Sequence, residues 1–193
     1  MNILETDSDR LLDAVRTLLT AKGIMTTEDI AERIRITDGG SPAQGARMVA
    51  RAWTDPDYRA LMLRDGTMAA ESLAIPMRGL PPLGVLEDTA ELHNLVVCTL
   101  CSCYPRAVLG YPPFWFKSAA YRARAVRDPR GLLAEWGTVL AEGVKLRVVD
   151  STADYRWMVL PLRPPGTEGW GAERLAGIVR DGDMIGVTIP SAG

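Results

Sequence analysis

The sequence predicts an α+β protein in which a helical N-terminal arm precedes a mixed domain of helices and strands. Three observations lead to this prediction. Residues 1–73 carry helical periodicity with helix-starting residues, residues 74–84 are rich in proline and glycine, and short β-rich runs alternate with helical segments after them. We therefore assign residues 1–73 to a helical arm or subdomain and residues 74–193 to an α+β domain.

The arm is predicted to consist of several short helices. In SDRLLDAVRTLLTAKG, Leu11, Val15 and Leu18 fall on one apolar stripe, and Gly23 ends the pattern. This periodicity leaves open whether the helices form a small subdomain or bury their stripes against a partner chain. Later helices are predicted to start at Thr26, at Ser41 with Pro42, and at Asp55 with Pro56.

The domain is predicted to contain short strands in an antiparallel sheet. The strand candidates are LHNLVVCTL, KLRVV, RWMVLPL and MIGVTIP, whereas SAAYRARAV, DPRGLLAEWG and GAERLAGIV are predicted helices. The stretch AIPMRGLPPLG is predicted to be a linker or an irregular loop.

Composition narrows the class of protein. The 193 residues carry a net charge of −2, which argues against nucleic acid or an anionic membrane as the main partner. No apolar run reaches the roughly 18 residues that a membrane span needs, and MNILETDSDR lacks a signal-peptide pattern. We therefore expect a cytoplasmic protein, in which clustered cysteines favour metal binding or redox chemistry over disulfides.

All three cysteines of the chain lie in VVCTLCSCYP, as Cys98, Cys101 and Cys103. Two thiolates three residues apart can chelate one ion through a tight turn. If Cys101 and Cys103 share that ion, the peptide between them wraps around it and brings the backbone nitrogens of Ser102 and Cys103 close. A site made from one contiguous segment keeps an open side, which favours a reactive metal over a closed structural one.

Other interpretations of the cluster remain open from spacing alone. A structural zinc site would need His93, the single histidine, as a fourth ligand. The thiols could also be buried without a metal, or serve redox chemistry. The basic run YRARAVRDPR is interpreted as a subunit interface or a solvated helix face.

Several segments together resemble the alpha subunit of nitrile hydratase. VCTLCSC is similar to the metal-binding motif of that family, and ARMVARAWTDPDYR, LGYPPFWFKSAAYRARAVRDPRG and MVLPLRPPGTE occur in the family's order. The resemblance covers roughly residues 46–186. It implies a layered α-β-β-α domain behind the helical arm.

The resemblance also implies a cofactor and its ligands. The family holds low-spin trivalent cobalt or iron through three cysteine sulfurs, here Cys98, Cys101 and Cys103, and the amide nitrogens of Ser102 and Cys103. Cys101 would be a sulfinic acid and Cys103 a sulfenic acid. Thr99 corresponds to the cobalt enzymes, so we expect Co(III) rather than iron. Cys103 would be catalytic through its oxygen, with hydroxide on the metal as the competing nucleophile.

Further residues are assigned by the same resemblance. Asp150, Asp154 and Arg156 lie in VVDSTADYRWMVLP and would support the claw through hydrogen bonds, as Thr99 would. Asp154 replaces the family's usual glutamate. Arg106 stands where tryptophan is common, so the pocket, with Trp115 as a wall residue, is expected to accept a larger or more polar nitrile, including a heteroaromatic one.

The resemblance implies a partner chain, either a nitrile hydratase beta subunit or smaller beta-like chains, whose arginines contact the oxidised cysteines. The related subunit of thiocyanate hydrolase is the nearest alternative, since it uses the same claw on another substrate. A structural zinc-binding interaction module is the alternative from a different class. The distinguishing observations are the reaction product and the metal with the oxidation state of the cysteines.

Overall fold

The computed structural model describes residues 7–192. The prediction that the chain lacks a signal peptide rests on residues 1–10, most of which lie outside the described residues. Two compact units divide at Asp38 and Gly39, earlier than the boundary predicted at residues 73 and 74, which remains a prediction about the domains.

In the described part of the first unit, the chain forms two helices, α1 (Asp7–Ala21) and α2 (Thr27–Asp38), as predicted. The hydroxyl and backbone N–H of Thr26 donate to Asp29 at 2.8 Å each, and the N–H of Asp29 donates back to the hydroxyl at 3.0 Å. This reciprocal pair satisfies backbone donors that the first turn of a helix leaves unpaired. On α1, Leu11 and Leu18 are 65% and 54% exposed.

The second unit opens with three helices, α3 (Pro42–Thr54), α4 (Pro56–Arg64) and α5 (Gly66–Ser72). The Asp55 carboxylate accepts hydrogen bonds from the N–H groups of Asp57 and Tyr58, which fixes the start of α4. Met48, Val49 and Met62 are fully buried and anchor these helices in the core.

Among residues 7–192, four strands form two parallel pairs: β1 (Leu83–Glu87), β2 (Leu92–Val97), β3 (Lys145–Asp150) and β4 (Arg156–Leu160). Strand β1 pairs with β4, and β2 pairs with β3. The predicted antiparallel pairing is wrong, because the connections within each pair are long enough to return the chain in the same direction. The α+β class is confirmed.

The connection between β2 and β3 carries the cysteine motif and most of the remaining helices. After the motif come α6 (Arg106–Leu109), α7 (Phe114–Lys117), α8 (Ala119–Arg127) and α9 (Pro129–Glu135); α10 (Ala172–Ala176) follows β4. The part of the chain that the structure describes has no helix with the length and apolarity needed to cross a membrane.

One predicted strand is absent from the described residues, and one observed strand was not predicted. MIGVTIP is not a strand: residues 181–188, which we call the closing segment, form successive turns in which the N–H groups of Gly186 and Val187 donate to the carbonyl of Gly182. Met184, Ile185 and Val187 are buried, so the apolar run reflected burial and not a strand. Strand β1 was missed because its first two residues, Leu83 and Gly84, end a proline-rich stretch.

The closing segment joins the two strand pairs. The carbonyl of Ile185 accepts from the N–H of Val96 in β2 at 2.9 Å, and that of Met184 accepts from Val159 in β4 at 2.8 Å. Met184 and Ile185 are fully buried. The strand that leads into the cysteines is therefore braced from the distant end of the domain.

A buried polar pair lies beside this brace. His93 is 4% exposed, and its Nδ1 lies 3.1 Å from a carboxylate oxygen of Asp88 while its Nε2 lies 2.8 Å from the carbonyl oxygen of Gly186. Both neighbours are acceptors, so only the doubly protonated ring satisfies both contacts. Burial opposes this charge, but the Asp88 hydrogen bond and charge and the Gly186 carbonyl outweigh it, and the pKa of His93 is raised.

We expect this pair to make stability depend on pH. A raised pKa in the folded state means that the stabilisation is complete below about pH 6.5, the ordinary histidine value, and is lost as pH rises through the folded value. The free energy of unfolding of the wild type should therefore approach that of His93→Gln between about pH 6 and about pH 9. Urea unfolding of both proteins across this range measures the difference, in which effects common to both cancel. Parallel curves would contradict the assignment.

Candidate metal centre

Strand β2 delivers the first cysteine of the motif. Cys98 directly follows Val97, which pairs with Asp150 at the end of β3. The carbonyl of Val97 also accepts from the N–H of Ser151 at 2.7 Å, and Cys98 is 1% exposed. The start of the motif is thus fixed by the sheet.

The chain then turns back so that the three sulfurs meet. The Sγ atom of Cys101 lies 3.5 Å from that of Cys98 and 3.2 Å from that of Cys103, and all three lie within 4.8 Å of one another. The N–H of Cys101 donates to the Cys98 sulfur at 3.3 Å. Cys98 and Cys103 are buried while Cys101 is exposed, so the cluster opens to the surface on one side.

The cluster treats its thiols unequally. Hydrogen bonds from Cys103, Cys98 and the backbone N–H of Ser102 lower the pKa of Cys101. Burial, together with the contacts from Cys101 and Cys98, raises the pKa of Cys103 to about 12, against the opposing charge of Arg156. Of Cys101 and Cys103, the exposed Cys101 is therefore the thiol that ionises more readily in the metal-free protein.

Thr99 is clamped to the neighbouring strand. Its N–H donates to one oxygen of the Asp150 carboxylate at 3.0 Å, and its hydroxyl donates to the other. Both oxygens of Asp150 are thereby used by one residue of the motif. The structure brings together Thr99 and Asp150, two of the residues that were predicted to support the cysteines.

Arg122, on α8, holds the same turn by donating hydrogen bonds to its backbone carbonyls, whereas Asp150 accepts from it. Its Nη1 donates to the carbonyl of Thr99 at 3.2 Å and to that of Leu100 at 3.1 Å. The basic run had been interpreted as an interface or solvated face, and this contact was missed. Nothing in the sequence distinguishes Arg122 from Arg124 or Arg127, because the contact depends on how α8 packs against the motif.

The remaining predicted residues are placed as follows. Asp154 is exposed in a turn closed by Thr152 and Tyr155, and within the described residues its carboxylate has no hydrogen bond to the motif. Arg156 and Arg106 line a cavity next to the motif. Trp115 packs edge to face on Trp136 and Tyr121, with ring centroids 4.7 and 5.0 Å apart. The roles assigned to these residues stay predictions.

The donor set fits a transition metal. Three thiols whose sulfurs lie within 4.8 Å of one another are soft ligands, and such sets select thiophilic ions such as zinc or other late first-row metals. Among the described residues, no histidine or carboxylate joins the cluster, and His93 is engaged by Asp88 and Gly186. A four-ligand zinc site completed by His93 therefore does not match this arrangement.

Comparison with known proteins shows the family. The model of the family "Nitrile hydratase, alpha chain" matches residues 6–188. The low-molecular weight cobalt-containing nitrile hydratase subunit alpha of Rhodococcus rhodochrous is 45% identical over 179 residues, covering 92% of this chain and 86% of the relative. Thiocyanate hydrolase subunit gamma of Thiobacillus thioparus is 41% identical over 198 residues, covering 97% and 82%.

Solved structures agree. Recombinant thiocyanate hydrolase comprising partially-modified cobalt centers superposes with a TM-score of 0.85 at 42% identity, covering 97% of this chain and 92% of that one. A double mutant of the Fe-type nitrile hydratase from Comamonas testosteroni Ni1 gives 0.79 at 40% identity, covering 96% and 91%. With its three cysteines gathered into a cluster able to bind a metal, the chain belongs to the nitrile hydratase alpha-chain family.

Proposed function

We propose that this chain is the metal-binding alpha subunit of a nitrile hydratase, which hydrates a nitrile to the corresponding amide. The observation that carries the proposal is the cluster of Cys98, Cys101 and Cys103, open on one side, in a chain of this family. The sulfurs of these residues would hold the ion, with the backbone nitrogens of Ser102 and Cys103. Cobalt is supported by the cobalt-containing relatives, and by Thr99; an Fe-type relative makes iron the second choice.

When bound, a trivalent ion supplies Lewis acidity toward the nitrile nitrogen. Residues of this chain would position the reacting groups. As the sulfenic acid that the family resemblance implies, Cys103 would present an oxygen to the nitrile carbon, and its 7% exposure would limit competition from bulk water. Asp150 and Arg122 hold the turn at Thr99, so that the sulfurs keep their positions.

A partner subunit of the beta type would complete the site. Leu100, inside the motif, is 87% exposed, and Phe114 and Val139 are 85% and 81% exposed. A partner chain that covered these side chains would remove apolar surface from water, which is favourable. The relatives are themselves named as subunits alpha and gamma.

The deciding experiment joins metal analysis to peptide mass mapping across residues 98–103. We expect about one cobalt per chain, two added oxygens on Cys101, one on Cys103, and amide as the product of nitrile turnover. Active protein with neither metal nor added oxygen would contradict the proposal. One zinc with unoxidised cysteines would instead support a structural interaction module.

Thiocyanate hydrolysis is the second candidate function. It is favoured by the 41% identity to thiocyanate hydrolase subunit gamma and by the TM-score of 0.85 to thiocyanate hydrolase. The two activities separate by product, because a nitrile hydratase releases an amide whereas thiocyanate hydrolysis releases carbonyl sulfide and ammonia.

We expect Arg122→Met to loosen the motif without unfolding the domain. Loss of the two hydrogen bonds to the carbonyls of Thr99 and Leu100 should raise amide hydrogen exchange in residues 99–102 and weaken metal retention about 10–100-fold. Exchange mass spectrometry of the metal-free chain and metal release into a chelator measure the two effects. Arg127→Met, on the same helix and exposed, is the matched control. Equal exchange and retention in the two variants would show that Arg122 is dispensable.

A further inference from the structure

The buried ring of His93 joins strand β2 to the closing segment. It lies on β2, five residues before Cys98, with Asp88 at the end of β1 on one side and Gly186 of the closing segment on the other. Both ring nitrogens face acceptors, so the ring bonds to both neighbours only while it carries two protons. The protonation of His93 therefore determines how β2 is joined to the closing segment.

The carboxylate of Asp88 is fixed by its other contacts. Its Oδ1 accepts from the N–H of Asn94 at 2.8 Å and from Nδ2 of Asn94 at 2.7 Å, while Oδ2 faces the ring of His93. The N–H of Asp88 donates to the carbonyl of Leu160 at 3.0 Å. A carboxylate that accepts from two donors and faces a cation stays ionised, so Asp88 is a stronger acceptor for a ring N–H than a neutral carbonyl is.

Asp88 is the charged group that acts on this ring. Burial lowers the pKa of His93, but the hydrogen bond and the charge of Asp88 raise it by more, and the net pKa is raised. The other charged groups on the surrounding elements are engaged elsewhere or exposed: Glu87 with Arg59, Arg147 with Asn94, Asp181 with Gly182, Asp183 with Arg180 and Thr188, and the exposed Lys145. Asp88 also lines a cavity of about 280 Å³, which gives the pair a path for proton exchange with water.

Loss of one proton leaves the ring able to donate to only one neighbour. The remaining proton stays on Nδ1, because the carboxylate is the stronger acceptor. Nε2 then turns a lone pair toward the carbonyl oxygen of Gly186 at 2.8 Å, and two acceptors at that distance repel each other. The carbonyl of the preceding residue, Ile185, accepts from the N–H of Val96, so a displacement there reaches β2 two residues before Cys98.

We propose that doubly protonated His93 is a positioning residue for the cysteine cluster, which holds the closing segment on β2 until alkaline loss of one proton releases it. Because the folded-state pKa is raised, the contact is complete at low pH and is lost as pH rises through that value. The contact between Val159 and Met184 is expected to weaken with it. The consequence for the metal rests on the proposed function, whereas the release of the segment does not.

Amide hydrogen exchange, measured by NMR on the metal-free full chain, tests the proposal at the N–H groups of Val96 and Val159. His93→Gln places a neutral amide nitrogen opposite Gly186 and does not titrate, so comparison at equal pH removes the intrinsic pH dependence of exchange. Between about pH 6 and about pH 9, exchange at these two groups should rise about 10–100-fold in the wild type relative to His93→Gln. The rise should be insensitive to low urea concentrations, because a local release exposes little surface.

Asp88→Asn separates the charge from the packing. Asparagine can accept from Asn94 through its oxygen and donate to Nδ1 of His93 through its nitrogen, so a neutral ring with its proton on Nε2 bonds to both neighbours. We therefore expect Asp88→Asn to keep Val96 and Val159 protected at about pH 9. This variant also keeps the test valid if His93→Gln fails to fold. Exchange that rises in Asp88→Asn as it does in the wild type would overturn the proposal.

Two further outcomes separate this inference from its alternatives. If exchange of Val96 and Val159 keeps the urea dependence of global unfolding at both pH values, His93 acts on overall stability alone and the positioning role is wrong. In the holoenzyme with its partner chain, release of cobalt into a chelator at high pH should be about 10-fold faster in the wild type than in Asp88→Asn. Equal release from the two proteins would show that the cluster does not depend on this contact.

The inference and the proposed function can fail separately. If the holoenzyme holds cobalt and hydrates nitriles, yet the wild type and His93→Gln exchange alike at both pH values, the positioning role is wrong while the hydratase stands. If exchange follows the expected pattern in a chain that binds no cobalt and hydrates no nitrile, the hydratase is wrong while the control of the closing segment by His93 stands.

Discussion

Replacing Cys101 by alanine is expected to abolish both metal binding and turnover. Its sulfur is the central one, 3.5 Å from that of Cys98 and 3.2 Å from that of Cys103. Without it, only two sulfurs remain to bind the ion. The effect should exceed the roughly 10–100-fold loss that follows removal of a residue that only supports the ligands. Metal content by elemental analysis and amide formation are the two measurements.

Ser102→Ala is the informative comparison. The proposed ligand at this position is a backbone nitrogen, which alanine also provides, so metal content should stay near that of the wild type. Loss of metal in Ser102→Ala would show that the side chain, and not the backbone, is needed. Retention of a full metal complement in Cys101→Ala would show that the cluster is not the metal site.

Gly186→Ala is expected to be among the most destabilising single substitutions in the domain. Gly186 has a φ of +85°, and a Cβ there would lie 1.8 Å from the carbonyl oxygen of Asn94 in β2. Backbone cannot move aside as the end of a flexible side chain can, so strain and overlap add to about 3–5 kcal/mol. Denaturant unfolding of the metal-free chain measures the change in the free energy of unfolding.

The chain offers a matched control for Gly186. Gly166 has a similar φ of +77°, but a Cβ there would have no atom within 4 Å. Gly166→Ala should therefore cost only the backbone strain, about 1–3 kcal/mol. Equal losses in the two variants would mean that the contact with Asn94 relaxes freely.

The sequence predicted the cysteine cluster because its members are contiguous. Spacing alone brings Cys98, Cys101 and Cys103 together, whatever the rest of the chain does. Asp150 was found only through resemblance to a family, since its contact with Thr99 spans 51 positions and is made by the pairing of β2 with β3. Arg122 was not found, because its contact depends on helix packing that no local pattern encodes.

The errors in the fold have a related origin. The parallel pairing of β2 with β3 depends on the long connection between them, and residue patterns within a strand do not record its direction. The closing segment has the apolar and β-branched residues of a strand, but its glycines permit turns that place Met184 and Ile185 between β2 and β4. An apolar pattern indicates which residues are buried, but in the closing segment turns bury them and a strand does not.

The closing segment also bears on the order of events during synthesis. The ribosome makes the three cysteines well before Ile185, whose carbonyl accepts from Val96 in the strand that leads into them. A nascent chain that has reached only the motif has neither β3, which supplies Asp150, nor this brace. The turn that brings Cys98, Cys101 and Cys103 together therefore gains its support from Asp150 and from this brace only after translation has passed the closing segment.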